Sequence, residues 1–212
     1  GIFKEKKMLL KNKRVLITGA GRGIGRQTAI DMAKEGAVIL GAALTQKNLD
    51  DMASEVHSMG GTVYTEIMDI ADYEDSLKAV DSLAAKAGGI DILVNCAGIF
   101  EEAFFMDMTP EQWHRTIAVD LDGVYNVTRA AMPYIIEAKG SVVSVTSQDA
   151  FYGCPGYSHY SAAKAAVVGL TRTLARELGS YGVRLNCVAP GITETEMTKD
   201  RIVTGREAYL EK

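Results

Sequence analysis

The chain has 212 residues, 47% of them hydrophobic and 24% charged, with a formal net charge of −4. That is enough chain for one sizeable core, and its four prolines and the absence of a Ser/Gly-rich run leave no obvious linker, so residues 1–212 read as a single domain. The slight acidity and the lack of a basic block speak against a nucleic-acid partner, whose phosphates call for clustered Lys and Arg. No segment reaches the ~18 uninterrupted apolar residues of a membrane span. The opening run Lys4-Glu5-Lys6-Lys7 lacks the apolar stretch of a signal peptide, so no membrane is expected as a partner and the expected location is the cytoplasm.

Cys96, Cys154 and Cys187 are odd in number and far apart in apolar or glycine-rich surroundings, which reads as buried free thiols rather than a disulfide framework. His57, His114 and His159 are scattered without ligand spacing, so no metal is expected.

In chain order, short apolar runs alternate with helical patterns. Arg14 to Thr18 reads as a strand, Gln27 to Glu35 as a helix, Val38 to Leu40 as a strand, Lys47 to Met59 as a helix and Thr62 to Tyr64 as a strand. The rhythm continues with a helix over Tyr73 to Ala87, a strand over Ile90 to Val94, a long helix over Pro110 to Pro133 and a strand over Ser141 to Thr146. A helix from about His159 to Leu178 and a strand over Val183 to Val188 follow. Strands separated by helices imply an α/β fold, a doubly wound, mainly parallel Rossmann-like sheet of at least six strands in three layers with helices on both faces, because parallel neighbours need crossover connections. Ligands of such sheets sit beyond the carboxyl ends of the strands. Those ends here carry small, polar or turn-forming residues: Thr18-Gly19-Ala20-Gly21, Leu40 to Ala43, Met68-Asp69-Ile70, Asn95 to Gly98, Thr146-Ser147 and Ala189-Pro190-Gly191.

Thr18-Gly19-Ala20-Gly21-Arg22-Gly23-Ile24-Gly25 follows the first strand and opens the first helix. Glycine lets backbone turn tightly and approach a diphosphate, while the helix N-terminus offers unpaired N–H groups to the anion. From Gly19 the spacing is G-x-x-x-G-x-G, which differs from the commonest dinucleotide fingerprint. A tight strand-to-helix turn alone also accounts for such glycines; the position after the first strand of an alternating chain favours nucleotide binding.

Tyr160 and Lys164 are four residues apart near the start of a predicted helix, on one face and about one turn from each other. A neighbouring ammonium stabilises phenolate and lowers the ordinary tyrosine pKa of ~10, bringing proton transfer within reach. Ser147 closes the preceding strand, and the loop Gln148 to His159 can bring its hydroxyl beside the phenol, so that two hydroxyls hold one carbonyl oxygen. A Tyr and a Lys at helical spacing occur by chance in many proteins; the combination with the glycine loop is what gives them weight.

Together these pieces resemble the short-chain dehydrogenase/reductase family over nearly the whole chain. The matching stretches are Thr18 to Gly25, Asp69, Asn95-Cys96-Ala97-Gly98, Ser147, Tyr160-Ser161-Ala162-Ala163-Lys164 and Pro190 to Thr195. The resemblance implies hydride transfer between a nicotinamide and a carbonyl or alcohol, with Ser147, Tyr160 and Lys164 catalytic. It further implies that Gly19, Gly21, Arg22, Gly23, Ile24 and Gly25 bind the cofactor's diphosphate side. Asp69 and Ile70 would meet adenine, Asn95, Ala97 and Gly98 would line the cofactor bed, and Pro190, Gly191, Ile192 and Thr195 would take the carboxamide side. Tyr160 and Lys164 would also touch the cofactor, Lys164 through the nicotinamide ribose.

Two positions depart from the family pattern. Asp120 stands where asparagine usually supports a proton-relay water, and Cys96 replaces the middle asparagine of Asn-Asn-Ala-Gly. After the second predicted strand, Ala43 occupies the place where NAD-preferring relatives carry an acidic residue, and Arg22 with the Thr45 hydroxyl is suited to a 2′-phosphate, although Leu44 stands where another group of NADP users has arginine. NADP(H) is therefore favoured over NAD(H).

The pattern is most similar to 3-oxoacyl-carrier-protein reductases, which implies a small carbonyl or alcohol substrate, free or carrier-bound, and a homo-oligomer, tetramer or dimer. Sugar, polyol and steroid dehydrogenases of the family share nearly all of it. A catalytically silent dinucleotide-binding sensor and a dehydratase or epimerase using the same cofactor stay open. The polar stretch Thr198 to Lys212 stands where relatives continue into a further helix and a seventh strand, so the chain is expected to lack or only partly represent that end. Phe104-Phe105-Met106 and Phe151-Tyr152 read as ordinary packing before pocket lining.

Overall fold

The computed structural model describes residues 8–196; the charge run Lys4 to Lys7 and the polar stretch Thr198 to Lys212 lie outside the described residues. Strand β1 (Arg14–Thr18) leads into helix α1 (Gly23–Lys34), followed by β2 (Val38–Ala43), α2 (Gln46–Ser58), β3 (Thr62–Ile67), α3 (Tyr73–Ala87) and β4 (Ile92–Asn95). Then come α4 (Pro110–Ile117), α5 (Gly123–Glu137), β5 (Ser141–Val145), the short α6 (Asp149–Tyr152), α7 (Ser158–Leu178) and β6 (Arg184–Val188).

All strand pairs are parallel, in the order β3-β2-β1-β4-β5-β6. The chain winds outward from β1 to β3, then returns to lay β4 against the other side of β1. The carboxyl ends of β1 and β4 therefore flank the crevice where winding reverses, the place where such sheets take ligands. Alternation along β1 feeds two cores: Leu16 packs with Leu40, Leu93 and Ile135 on one face, while Val15 and Ile17 pack with Ile39, Leu49 and Met52 on the other.

The helix ends have local causes. Asp72 accepts the Asp75 N–H at 2.9 Å to start α3, and Gly88, at φ 78°, ends it in the left-handed conformation. Thr109 and Gln112 form a reciprocal capping box with Pro110 in the first turn of α4.

The long helix expected to stop at Pro133 is instead interrupted earlier and runs further. A π-helical turn at Ala118–Asp122 separates α4 from α5, and α5 carries Pro133 inside it as far as Glu137. The Gln148 to His159 segment, expected as loop, contains α6. Among the described residues, no helix is long and apolar enough to cross a membrane.

Candidate active site

Thr18 ends β1 and ties it to β4: its buried Oγ1 accepts the N–H groups of Cys96 and Ala97, each at 3.0 Å. The loop that follows is crowded. Gly19 has φ 68°, and a Cβ there would stand 2.9 Å from Ala97 Cα. Arg22, the N-cap of α1, makes no side-chain capping bond to the N–H groups of the first turn.

One cavity of about 600 Å³ runs from this loop to the end of β5 and the start of α7. Gly19, Gly21, Arg22, Gly23, Ile24 and Gly25 line it, as do Ala43, Leu44, Thr45, Asp69 and Ile70. Ala97, Gly98, Ser147, Tyr160, Lys164, Pro190, Gly191, Ile192 and Thr195, all expected from the sequence, line it too.

Asn95 does not join them. Its side chain is buried and donates to Thr128 Oγ1 at 2.9 Å and Ser144 Oγ at 3.2 Å, so it braces β4 against α5 and β5 from behind the cavity. The expectation that Asn95 lines the cofactor bed with its side chain is corrected accordingly.

Ser147 leaves the end of β5; its Oγ accepts the Asp149 N–H at 3.1 Å, and its hydroxyl hydrogen bonds to the Tyr160 phenol. Phe100 holds the tyrosine ring in place: its ring packs edge-on to Tyr160 at 4.8 Å and stacks on Tyr157 at 4.0 Å. Lys164 Nζ lies 5.5 Å from the Tyr160 ring centroid, 3.4 Å from the Val145 carbonyl and 3.0 Å from Asp120 Oδ1. Ile99 N–H donates to the other Asp120 oxygen at 3.2 Å. The Lys164 backbone is held too, its carbonyl accepting from Thr146 Oγ1 at 2.7 Å.

The electrostatics differ from the sequence expectation. Burial raises the Tyr160 pKa; Lys164 pulls it down, Asp120 pushes it up again, Ser147 lowers it and Asp149 raises it, and the balance lies above the ordinary value. Burial opposes the charge on Lys164, but Asp120 and Tyr160 outweigh it and raise its pKa. Burial raises Asp120, with Lys164 opposing. Burial also pushes the Cys96 thiol up to about 11. The three cysteines are free, as read from the sequence, but half-buried rather than buried.

Sequence reasoning missed Phe100, and also Gln148 and Asp149, which line the same cavity. The signal available was position: Phe100 follows the Asn-Cys-Ala-Gly stretch, and Gln148 and Asp149 follow Ser147. The aromatic clusters meet neither expectation. Phe104, Phe105, Met106, Phe151 and Tyr152 are between 55% and 88% exposed and do not line the cavity.

The chain is similar to known proteins. The sequence pattern of the short chain dehydrogenase family matches residues 13–204. The 3-oxoacyl-acyl-carrier-protein reductase FabG of Thermotoga maritima is 40% identical over 206 residues, covering 97% of this chain and 84% of that protein. The meso-2,3-butanediol dehydrogenase of Serratia marcescens is 34% identical over 216 residues, covering 97% of this chain and 85% of its own length. In structure, a short-chain dehydrogenase/reductase from Brucella melitensis, described as a glucose/ribitol dehydrogenase, superposes with a TM-score of 0.90 at 35% identity over 97% of this chain and 83% of its own. A dehydrogenase/reductase from Sinorhizobium meliloti superposes with a TM-score of 0.89 at 33% identity, covering 95% and 81%. The chain therefore belongs to the short-chain dehydrogenase/reductase family of oxidoreductase enzymes.

Proposed function

We propose that this enzyme interconverts a ketone and a secondary alcohol with NADP(H), and that its substrates are 3-oxoacyl thioesters. The observation that carries the reading is the shared cavity, which is lined both by Ser147, Tyr160 and Lys164 and by the glycine loop at the N-terminus of α1.

The chain's residues fit a dinucleotide. The glycines of Gly19 to Gly25 would let backbone N–H groups approach the diphosphate, while Asp69 and Ile70 would meet the adenine and Pro190 to Thr195 the carboxamide side. Arg22 and Thr45 are exposed on the cavity wall beside Ala43, with no carboxylate at that position to repel a 2′-phosphate. When bound, the nicotinamide supplies or accepts the hydride.

Tyr160 gives its phenolic proton to the substrate oxygen during reduction and takes it back during oxidation. Ser147, hydrogen-bonded to the phenol before substrate binds, turns its hydroxyl hydrogen to the same substrate oxygen, fixing it beside Tyr160 and stabilising charge as it develops there. Lys164 steadies the phenolate and holds the ribose. Displacement of water from the cavity by bound substrate would strengthen each interaction by lowering the local dielectric.

Support for an acyl thioester comes from the names of relatives at 40% and 36% identity, both 3-oxoacyl-acyl-carrier-protein reductases. A second reading, a small-diol or polyol dehydrogenase, is favoured by the butanediol dehydrogenase relative and by the polar side chains of Gln148 and Asp149 in the cavity. Steady-state oxidation and reduction assays with NADPH and NADH, using an acetoacetyl thioester, acetoin, butanediol and ribitol, separate the two. Higher kcat/KM for the thioester with NADPH supports the first reading; preference for the diol overturns it. Binding of NADPH without turnover of any of them would point to a sensor.

A further inference from the structure

We propose that Asp120 is a positioning residue of the proton-transfer site: its carboxylate anchors the Lys164 ammonium in a buried ion pair, and that pair sets the pH at which the site gives up its proton. The inference rests on the reading above that Tyr160 carries the proton.

The geometry is built for this contact. Asp120 is fully buried and Lys164 is 4% exposed, with Nζ and Oδ1 3.0 Å apart. Asp120 sits in the π turn at Ala118–Asp122, where the backbone departs from the regular helical repeat between α4 and α5. Gly98 leaves the space for the pair, since a Cβ there would stand 2.5 Å from Asp120 Oδ1 and 3.4 Å from Lys164 Nζ. Ile99 N–H fixes the other oxygen.

Charge arithmetic gives the consequence. With carboxylate and ammonium paired, the site with a neutral phenol has no net charge, so releasing the phenolic proton leaves an uncompensated negative charge in a low-dielectric interior. Without the carboxylate the same release turns a lone buried ammonium into a neutral pair with phenolate. Asp120 therefore holds the ammonium in place and makes the site release its proton at higher pH.

The other titratable groups do not cancel this. From α7, His159 is buried and burial favours its neutral form, with Asp120 and then Glu101 acting in the opposite sense. Cys96, from the end of β4, faces Lys164 as a neutral thiol. Asp149, from α6, adds to the negative side of the balance at Tyr160.

The test is an ultraviolet phenolate titration of the full chain, of Asp120→Asn and of Asp120→Ser. Each is measured as the difference from its own Tyr160→Phe counterpart so that only Tyr160 is read. Circular dichroism establishes which variants fold, and the second variant covers misfolding of the first. The midpoint is expected to fall by about one pH unit or more in the folded variant. The ionisation in the pH profile of kcat for alcohol oxidation should fall with it. An unchanged or raised midpoint overturns the inference, as does a loss of kcat and thermal stability with no movement of either midpoint. A shifted phenolate midpoint in a protein that turns over no carbonyl or alcohol supports the charge coupling and overturns the catalytic reading. Turnover with unshifted midpoints does the reverse.

Discussion

The carbonyl of Gly19 occupies the space that a Cβ on Gly25 would need, so that any side chain at position 25 would run into it. This contact folds the loop after β1 back onto the first turn of α1 and holds that turn open to the cavity. Gly25→Ala must push the loop off the helix, at a cost of about 1–3 kcal/mol by the usual scale of overpacking. Nucleotide titration by fluorescence and thermal denaturation should register a loss of affinity together with a lower Tm.

Thr18 shows how the two strand ends at the crevice are kept together. Replacing it with valine conserves its volume but removes the acceptor of the Cys96 and Ala97 N–H groups. Leaving such buried donors unpaired costs about 1–3 kcal/mol. Urea unfolding of Thr18→Val should show a lower midpoint with an unchanged slope, because the fold itself is not altered.

At the opposite end of the sheet, Asp91 accepts from Arg14 Nε at 2.7 Å and from the Arg14 N–H at 2.9 Å. Burial raises the Asp91 pKa, but the Arg14 bonds outweigh it and hold the carboxyl below its ordinary value. A carboxyl depressed in the folded state stabilises the protein above its unfolded pKa of ~3.9, and that stability is lost as the pH falls through the lower folded value. Asp91→Asn should therefore lower stability by about 1–2 kcal/mol at neutral pH, discounted for the partly exposed partner, and flatten the acid limb of stability against pH. Denaturation midpoints from neutral to acid pH measure both effects.

For the cofactor, Arg22→Ala should weaken NADPH binding about tenfold and NADH binding little, the scale of one charge-assisted hydrogen bond. Equal loss for both dinucleotides would assign Arg22 to the diphosphate rather than to a 2′-phosphate.

The alternation of strand and helix was legible because apolar runs and helical periods are local properties. Their ends were harder to read. β2 continues through Gly41-Ala42-Ala43, three small residues with little strand propensity, paired to β3 along their length; at Gly41, Met52 Cε and Ala20 Cβ leave no room for a side chain. β3 continues through Thr65-Glu66-Ile67, an edge segment whose polar Glu66 is held by Ser82 and Lys86. The π turn at Ala118–Asp122 left no mark on the hydrophobic pattern, and Pro133 sits within α5 although a proline usually ends a helix.

At the site, the glycine loop and the Tyr160–Lys164 spacing were readable because each is contained in one short segment. The inward turn of the Asn95 amide, the Phe100 ring against Tyr160 and the balance of charges around the phenol depend on residues brought together from different elements. Asp120 was visible as a departure from a pattern, but its direct pairing with Lys164 was not.

The most direct test of the central claim is kcat of the full chain and its Tyr160→Phe variant with NADPH, alongside nucleotide affinity. The account predicts a fall in kcat of about 10²–10⁴-fold with NADPH binding retained, the scale of a lost general acid. Unchanged kcat in the variant would contradict it.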